Sequence, residues 1–108
     1  MNKVFVCKKA DIPPNGMKEC SSNLGQRVLV LDAGGTYFAC QPDCPHQRVS
    51  LCEGFYDGET LTCYQHLWQW EIRTGAAVGP AEAPLQFYEI IVEGDSIYLK
   101  DAGTLIEG

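Results

Sequence analysis

Positive charge is scarce in this sequence: 8 Lys and Arg stand against 14 Asp and Glu in 108 residues, a formal net charge of −6. Nucleic acid and anionic membrane surfaces need a basic face on their partner, so both are excluded. An acidic chain suits docking on positive patches of other proteins, although acidity also serves solubility alone. Long apolar runs are missing, so no segment reaches membrane-spanning length. The opening Met1-Asn2-Lys3-Val4-Phe5-Val6 lacks the apolar core and small-residue cleavage site of a secretory signal. The expectation is a soluble, cytoplasmic protein. Helical periodicity is missing too, since no stretch of a dozen residues repeats its apolar positions at helical spacing. There is no internal repeat, low-complexity tract or linker. No Ser-His-Asp set, phosphate-cradling Gly loop or dinucleotide fingerprint appears. Gly34-Gly35 is too short to cradle phosphate and reads as a turn.

What is present is a series of short strands between turn signals. Residues 3–7 alternate, and residues 11–16 (DIPPNG) form a turn cluster. Residues 26–32 (QRVLVLD) and 36–40 (TYFAC) flank the turn at 33–35 as a hairpin. A second strand pair is expected at 59–64 and 67–73, followed by a turn at Thr74-Gly75. Residues 76–86, with Pro80 and Pro84, read as a loop. Residues 87–93 and 96–100 make a last hairpin around Gly94-Asp95. The fold class is all-β: a small antiparallel β-sandwich or barrel in one domain spanning 1–108. Chemistry is expected where strands are interrupted, at about 41–56 and 62–68.

Those interruptions hold the informative residues. The chain has only two histidines, and each follows a cysteine closely: Cys44-Pro45-His46 and Cys63-Tyr64-Gln65-His66. Three readings of this C-x-H, C-x-x-H pattern compete. Buried apolar cysteines with satisfied core histidines suit a single Cys or His better than two matched pairs. A structural Zn²⁺ site fits the ligand types, but the order differs from the usual paired cysteines followed by paired histidines. A zinc-stabilised protein-binding β module would follow from it. In a Rieske [2Fe–2S] centre two cysteines hold one iron and two histidines the other, which uses this alternating order.

The chain resembles Rieske ferredoxins over nearly its full length. The resemblance rests on CPH at 44–46, CYQH at 63–66, Trp70 with Thr74-Gly75, and the downstream Pro84-Leu85, Tyr88-Glu89-Ile90, Val92-Glu93-Gly94-Asp95 and Ile97-Tyr98. CPHQ at 44–47 and His66-Leu67-Trp68 look most like the ferredoxins of bacterial toluene and alkene monooxygenases. Ferredoxins of ring-hydroxylating dioxygenases more often have Gly near position 68.

The resemblance implies an electron carrier and not an enzyme, with one cluster held by Cys44, His46, Cys63 and His66. It implies loops at 41–56 and 62–68 forming a cluster-binding subdomain, covered by the Pro loop at 76–86. The implied partners are an NADH-dependent flavin reductase and an oxygenase, probed by transient docking near His46 and His66. A diiron hydroxylase is the first choice of oxygenase. A ring-hydroxylating dioxygenase, or a role as a nitrite-reductase-like small subunit, is the alternative. A monomer is expected. Respiratory Rieske proteins carry an additional cysteine in each loop and a serine after the second histidine. Val49, Gln65 and the run Leu67-Trp68-Gln69 stand at those places here. With fewer donors to the cluster, its potential is expected near the low end of the Rieske range, about −150 mV.

Gln47 and Arg48 read as loop residues near the exposed edge of the site. Trp68 and Trp70 are expected on opposite sides of a strand, with Trp70 in the core. Cys7, Cys20, Cys40 and Cys52 lack a ligand-spaced histidine and read as free, mostly buried thiols.

Overall fold

The computed structural model describes residues 3–44, 49–64, 68–78 and 85–100. Eleven strands are present among them: β1 (Lys3–Lys8), β2 (Met17–Ser21), β3 (Arg27–Ala33), β4 (Thr36–Cys40), β5 (Phe55–Tyr56), β6 (Thr60–Thr62), β7 (Gln69–Glu71), β8 (Ala77–Val78), β9 (Phe87–Tyr88), β10 (Ile90–Glu93) and β11 (Ser96–Lys100). Single 3₁₀ turns at Lys9–Asp11 and Leu51–Glu53 are the only helical elements among the described residues. None is long and apolar enough to cross a membrane.

The strands form three antiparallel sheets, in the orders β1-β11-β10, β2-β3-β4-β9 and β5-β6-β7-β8. The middle one is set by β3. Side chains alternate along a strand, and both faces of β3 are covered, so Val28 through Ala33 are all buried. Val28 and Val30 join one apolar cluster with Val6, Cys7, Ile97 and Leu99 of the first sheet. Leu29 and Leu31 join the other, with Leu61, Cys63, Trp70 and Ile72 of the third. One strand therefore separates two cores, a structural one below and a second that carries the candidate ligands.

The β3–β4 hairpin turns at Gly34 and Gly35, whose φ of +63° and +97° suit the absence of a side chain. Asp32, nearly buried, holds that turn and its neighbour together. Its carboxylate accepts the Gly35 N–H at 2.8 Å and the Asn15 N–H at 2.9 Å. Arg73 reaches from beyond β7 to donate to the Ala33 carbonyl at 2.8 Å, and the Tyr56 hydroxyl donates to the Asp32 carbonyl at 3.0 Å. These bonds tie the third sheet to the middle one.

Five features differ from the sequence expectation. Residues 55–56 pair with β6 at the end of the expected interruption 41–56. Residues 17–21 form β2, although MKECS shows no clean alternation. Residues 77–78 pair with β7 inside the expected loop. The expected strand 87–93 divides at Glu89, with β9 pairing to β4 and β10 pairing to β11. Trp68 and Trp70 lie in the same core, ring centroids 6.1 Å apart at 64°. Their expected placement on opposite sides was wrong, because residues two apart in an extended chain share a face.

Gly54 is required for close approach. A Cβ there would lie 2.1 Å from the Thr62 carbonyl oxygen, which is backbone and cannot swing away. Gly54→Ala is expected to destabilise the protein by about 1–3 kcal/mol, read as a lower urea midpoint at unchanged slope.

Candidate metal centre

Cys44 and Cys63 occupy equivalent places on two hairpins. In the first, Asp43 and Ser50 form an antiparallel bridge, and the next residue, Cys44, donates its N–H to the Val49 carbonyl at 2.9 Å. In the second, Thr62 pairs with Gln69, and Cys63 donates its N–H to the Trp68 carbonyl at 2.8 Å. Each cysteine is the first residue past the last paired position of its hairpin. The segments between donor and acceptor, 45–48 and 64–67, have the same length. The candidate ligands His46 and His66 fall within these segments and lie outside the described residues. Gln47, Arg48, Gln65, Leu67, Pro80 and Pro84 also lie outside the described residues.

Both cysteines are buried, Cys44 at 5% exposure and Cys63 at 0%, and both belong to the core beneath the third sheet. Trp68, Trp70, Leu51, Leu61 and Leu85 surround that core. Thiolates in apolar surroundings are unfavourable unless a metal compensates the charge. Two such sulfurs suit a thiophilic metal rather than a hard cation that takes oxygen ligands. Among the described residues no group of three His, Cys, Asp or Glu side chains is arranged to hold a metal ion. Cys44 and Cys63 share one apolar core, a placement that fits the thiolate half of a mixed Cys and His centre.

The base of the first hairpin is clamped by charge. Arg27 donates from Nε and Nη2 to Glu19 at 3.1 and 3.0 Å, and from Nη2 to Asp43 at 3.2 Å. The Ser50 hydroxyl donates to the same Glu19 carboxylate at 3.0 Å. Asp43 and Ser50 are the bridging pair next to Cys44. Gln41 adds a second tie: its Nε2 donates to the Asp43 carbonyl at 2.8 Å, and its Oε1 accepts the Gln86 N–H at 2.9 Å. Sequence reasoning missed Glu19, Arg27 and Gln41. Their contacts depend on β2, which carries no strand signature, and on pairings that no local motif encodes.

The hydrogen bond from Arg27 holds the Glu19 carboxyl below its ordinary value of 4.5, with a smaller contribution from Ser50. A depressed folded-state value means stability that is present above pH 4.5 and is lost as pH falls through the lowered value. Arg27→Ala is therefore expected to lower the stability of the protein at neutral pH. It is also expected to remove the part of the acid sensitivity that Glu19 contributes. Urea midpoints measured from about pH 3 to about pH 7, a span that crosses the carboxylate range, check both.

The four other cysteines are distributed unevenly. Cys7 and Cys40 are buried, Cys20 is half-buried and Cys52 is exposed, its Sγ 3.0 Å from the Ser50 hydroxyl. The expectation of mostly buried thiols fails at Cys52. Cys40 shares the core of Cys44 and Cys63, but it is paired within β4 and full burial pushes its thiol upward, which keeps it protonated.

Known proteins resemble the chain at both sequence and fold level. The profile of the Rieske [2Fe-2S] domain matches residues 2–89. The methanesulfonate monooxygenase ferredoxin subunit of Methylosulfonomonas methylovora is 36% identical over 91 residues, 83% of this chain and 73% of that protein. The biphenyl dioxygenase ferredoxin subunit of Pseudomonas sp. (strain KKS102) is 33% identical over 93 residues, 84% of each. A chain in the complex of reduced oxygenase and oxidised ferredoxin of carbazole 1,9a-dioxygenase superposes with a TM-score of 0.80 at 26% identity. That match covers 94% of this chain and 95% of the other.

Proposed function

Because the chain belongs to the Rieske [2Fe–2S] domain family, we propose that it is a one-electron carrier linking an NADH-dependent flavin reductase to an oxygenase component. The cluster, when bound, supplies a centre that takes up and returns single electrons. Family membership sets aside the zinc-stapled binding module. We assign Cys44 and Cys63 to one iron and His46 and His66 to the other, within a single domain spanning 1–108. The matched hairpins are the observation that carries this assignment: they bring two buried sulfurs to equivalent positions, each followed at short range by one of the two histidines. The protein's own task is to hold the sulfurs in a dry core while leaving a short route to a docked partner. We place it in the cytoplasm as a monomer, meeting its partners through small, transient contacts.

Two readings of the oxygenase rest on different observations. A ring-hydroxylating dioxygenase is supported by the biphenyl dioxygenase relative and by the likeness to the carbazole dioxygenase complex. A diiron aromatic or alkene hydroxylase is supported by Cys44-Pro45-His46-Gln47 and by His66-Leu67-Trp68 in place of a glycine near 68. With these relatives behind it, the dioxygenase reading is at least as well supported as the hydroxylase one.

The deciding experiment makes the protein the sole electron link between a flavin reductase and each purified oxygenase in turn. Product formed at the expense of NADH identifies the partner class. Failure with both, by a protein whose reduced form gives a Rieske EPR signal, would overturn the oxygenase link but leave the carrier. The potential is expected at about −150 mV, and a value above zero by voltammetry would contradict the reading of Val49 and Gln65.

A further inference from the structure

Cys7 and Cys20 take no part in the site above, and they come from different sheets. A β-bulge interrupts the pairing of β1 with β11 between Phe5 and Cys7. In a regular strand one of two successive residues faces outward. Here Val6 and Cys7 are both buried, because the bulge turns the second of them inward. Cys20, half-buried on β2, packs against the same apolar cluster as Cys7. The Phe5 carbonyl accepts the Asn23 N–H at 3.0 Å, which lays the chain leaving β2 alongside β1. Both thiols lie between these points, on the seam of the first and middle sheets, close enough for each to perturb the other's ionisation. Cys20 donates to the Lys18 carbonyl, 3.7 Å away.

We propose that Cys7 and Cys20 form a reversible disulfide, a two-electron thiol site separate from the one-electron centre, whose oxidant is a small-molecule disulfide such as oxidised glutathione. The two thiols have unequal roles. The neighbouring Cys7 thiol, helped by the Lys18 charge, lowers the Cys20 thiol below its ordinary value, while Cys20 and burial push the Cys7 thiol up. Cys20 is also the more accessible. It is therefore the attacking thiolate, and Cys7 is the resolving thiol.

The exchange balances in two steps. The Cys20 thiolate attacks one sulfur of glutathione disulfide. The glutathione S–S bond breaks, one glutathione leaves as thiolate, and that thiolate takes up the proton that Cys20 released. Cys7 then gives up its proton and its sulfur attacks Cys20 Sγ in the mixed disulfide. The Cys7–Cys20 bond forms, and the second glutathione leaves and takes up the proton. Two protein thiols are oxidised by two electrons, and one disulfide is reduced to two thiols. The bond would join the first sheet to the middle one, on the side of the molecule away from the core of Cys44 and Cys63.

The test incubates the coloured holoprotein anaerobically with glutathione buffers of rising oxidised fraction, followed by acid quench, alkylation and peptide mass mapping. The expected result is a Cys7–Cys20 cross-linked peptide that dithiothreitol reverses, with unchanged visible absorbance and a higher thermal midpoint. Cys7→Ser is expected to accumulate the glutathione adduct on Cys20, since nothing resolves it. Cys20→Ser is expected to leave Cys7 unmodified. If wild type carries glutathione on Cys20 without the cross-link, the sulfurs cannot reach each other and the proposal fails. It fails equally if only Cys52 reacts. Loss of the cluster would show independently, as loss of colour.

Discussion

Replacing Cys63 with serine is expected to yield a colourless protein. Serine has the shape of cysteine with a smaller terminal atom, so it fits without a clash and the hairpin frame of Thr62, Gln69 and Trp68 has no steric reason to move. What changes is the ligand: a hydroxyl is a hard donor that ionises far less readily than a thiol and holds iron of this kind poorly. The buried hydroxyl also leaves a polar group in an apolar core, at a cost of about 1–3 kcal/mol. Visible absorbance and the low-temperature EPR signal of the dithionite-reduced protein are both expected to vanish, and Cys44→Ser is expected to behave alike. Cys40→Ser is the control. It removes a third thiol from the same core, one outside the hairpin frame, and is expected to keep the colour. A coloured Cys63→Ser protein with an unaltered EPR signal would overturn the assignment of Cys63.

Trp70→Ala is expected to be the most damaging core substitution. Trp70 is the largest of the fully buried side chains and pairs across strands with Leu61 and Ala77. Truncating a buried tryptophan costs about 3–5 kcal/mol, against a total of about 5–15 kcal/mol for a domain. The melting temperature should fall by about 12 °C or more, measured by far-ultraviolet circular dichroism. The loss should extend to the site. The Trp70 ring supports Trp68, whose carbonyl receives the Cys63 N–H, so cluster retention should fall with stability. Trp70→Phe keeps an aromatic ring in place and should recover part of both. A variant that melts normally would show that the two Trp rings are not the support of the second hairpin.

Much of this architecture was legible because local chemistry announced it. Gly34-Gly35 and Gly94-Asp95 marked their hairpins, and QRVLVLD and SIYLK carried strand composition with little ambiguity. The two cysteine–histidine pairs were conspicuous because the chain holds no other histidine. What could not be read was set by distant partners. MKECS becomes a strand because β3 offers it a continuous edge, a reason absent from the five residues themselves. The division at Glu89 depends on which sheet lies within reach of each half. The clamp of Glu19, Arg27, Asp43 and Ser50 joins residues up to 31 positions apart. The neighbourhood of Cys7 and Cys20 needs a bulge that no residue type in KVFVC specifies. The error at Trp68 and Trp70 was of another kind, a misapplied period.

The division at Glu89 bears on how the molecule can come apart. Phe87 and Tyr88 are hydrogen-bonded into the middle sheet and pack on both cores, while Ile90 begins the outer sheet one residue later. The Glu89 carbonyl itself accepts the Lys100 N–H at 3.0 Å. A single short segment is thus a member of two layers at once. Peeling away the outer layer pulls on the middle one, and opening the middle one frees the outer. Partial opening of either layer is penalised by the other, so these two layers are coupled into one cooperative unit. The hairpins bearing Cys44 and Cys63 are anchored on that unit and inherit its lifetime, which lets a small domain keep its sulfurs dry between partners.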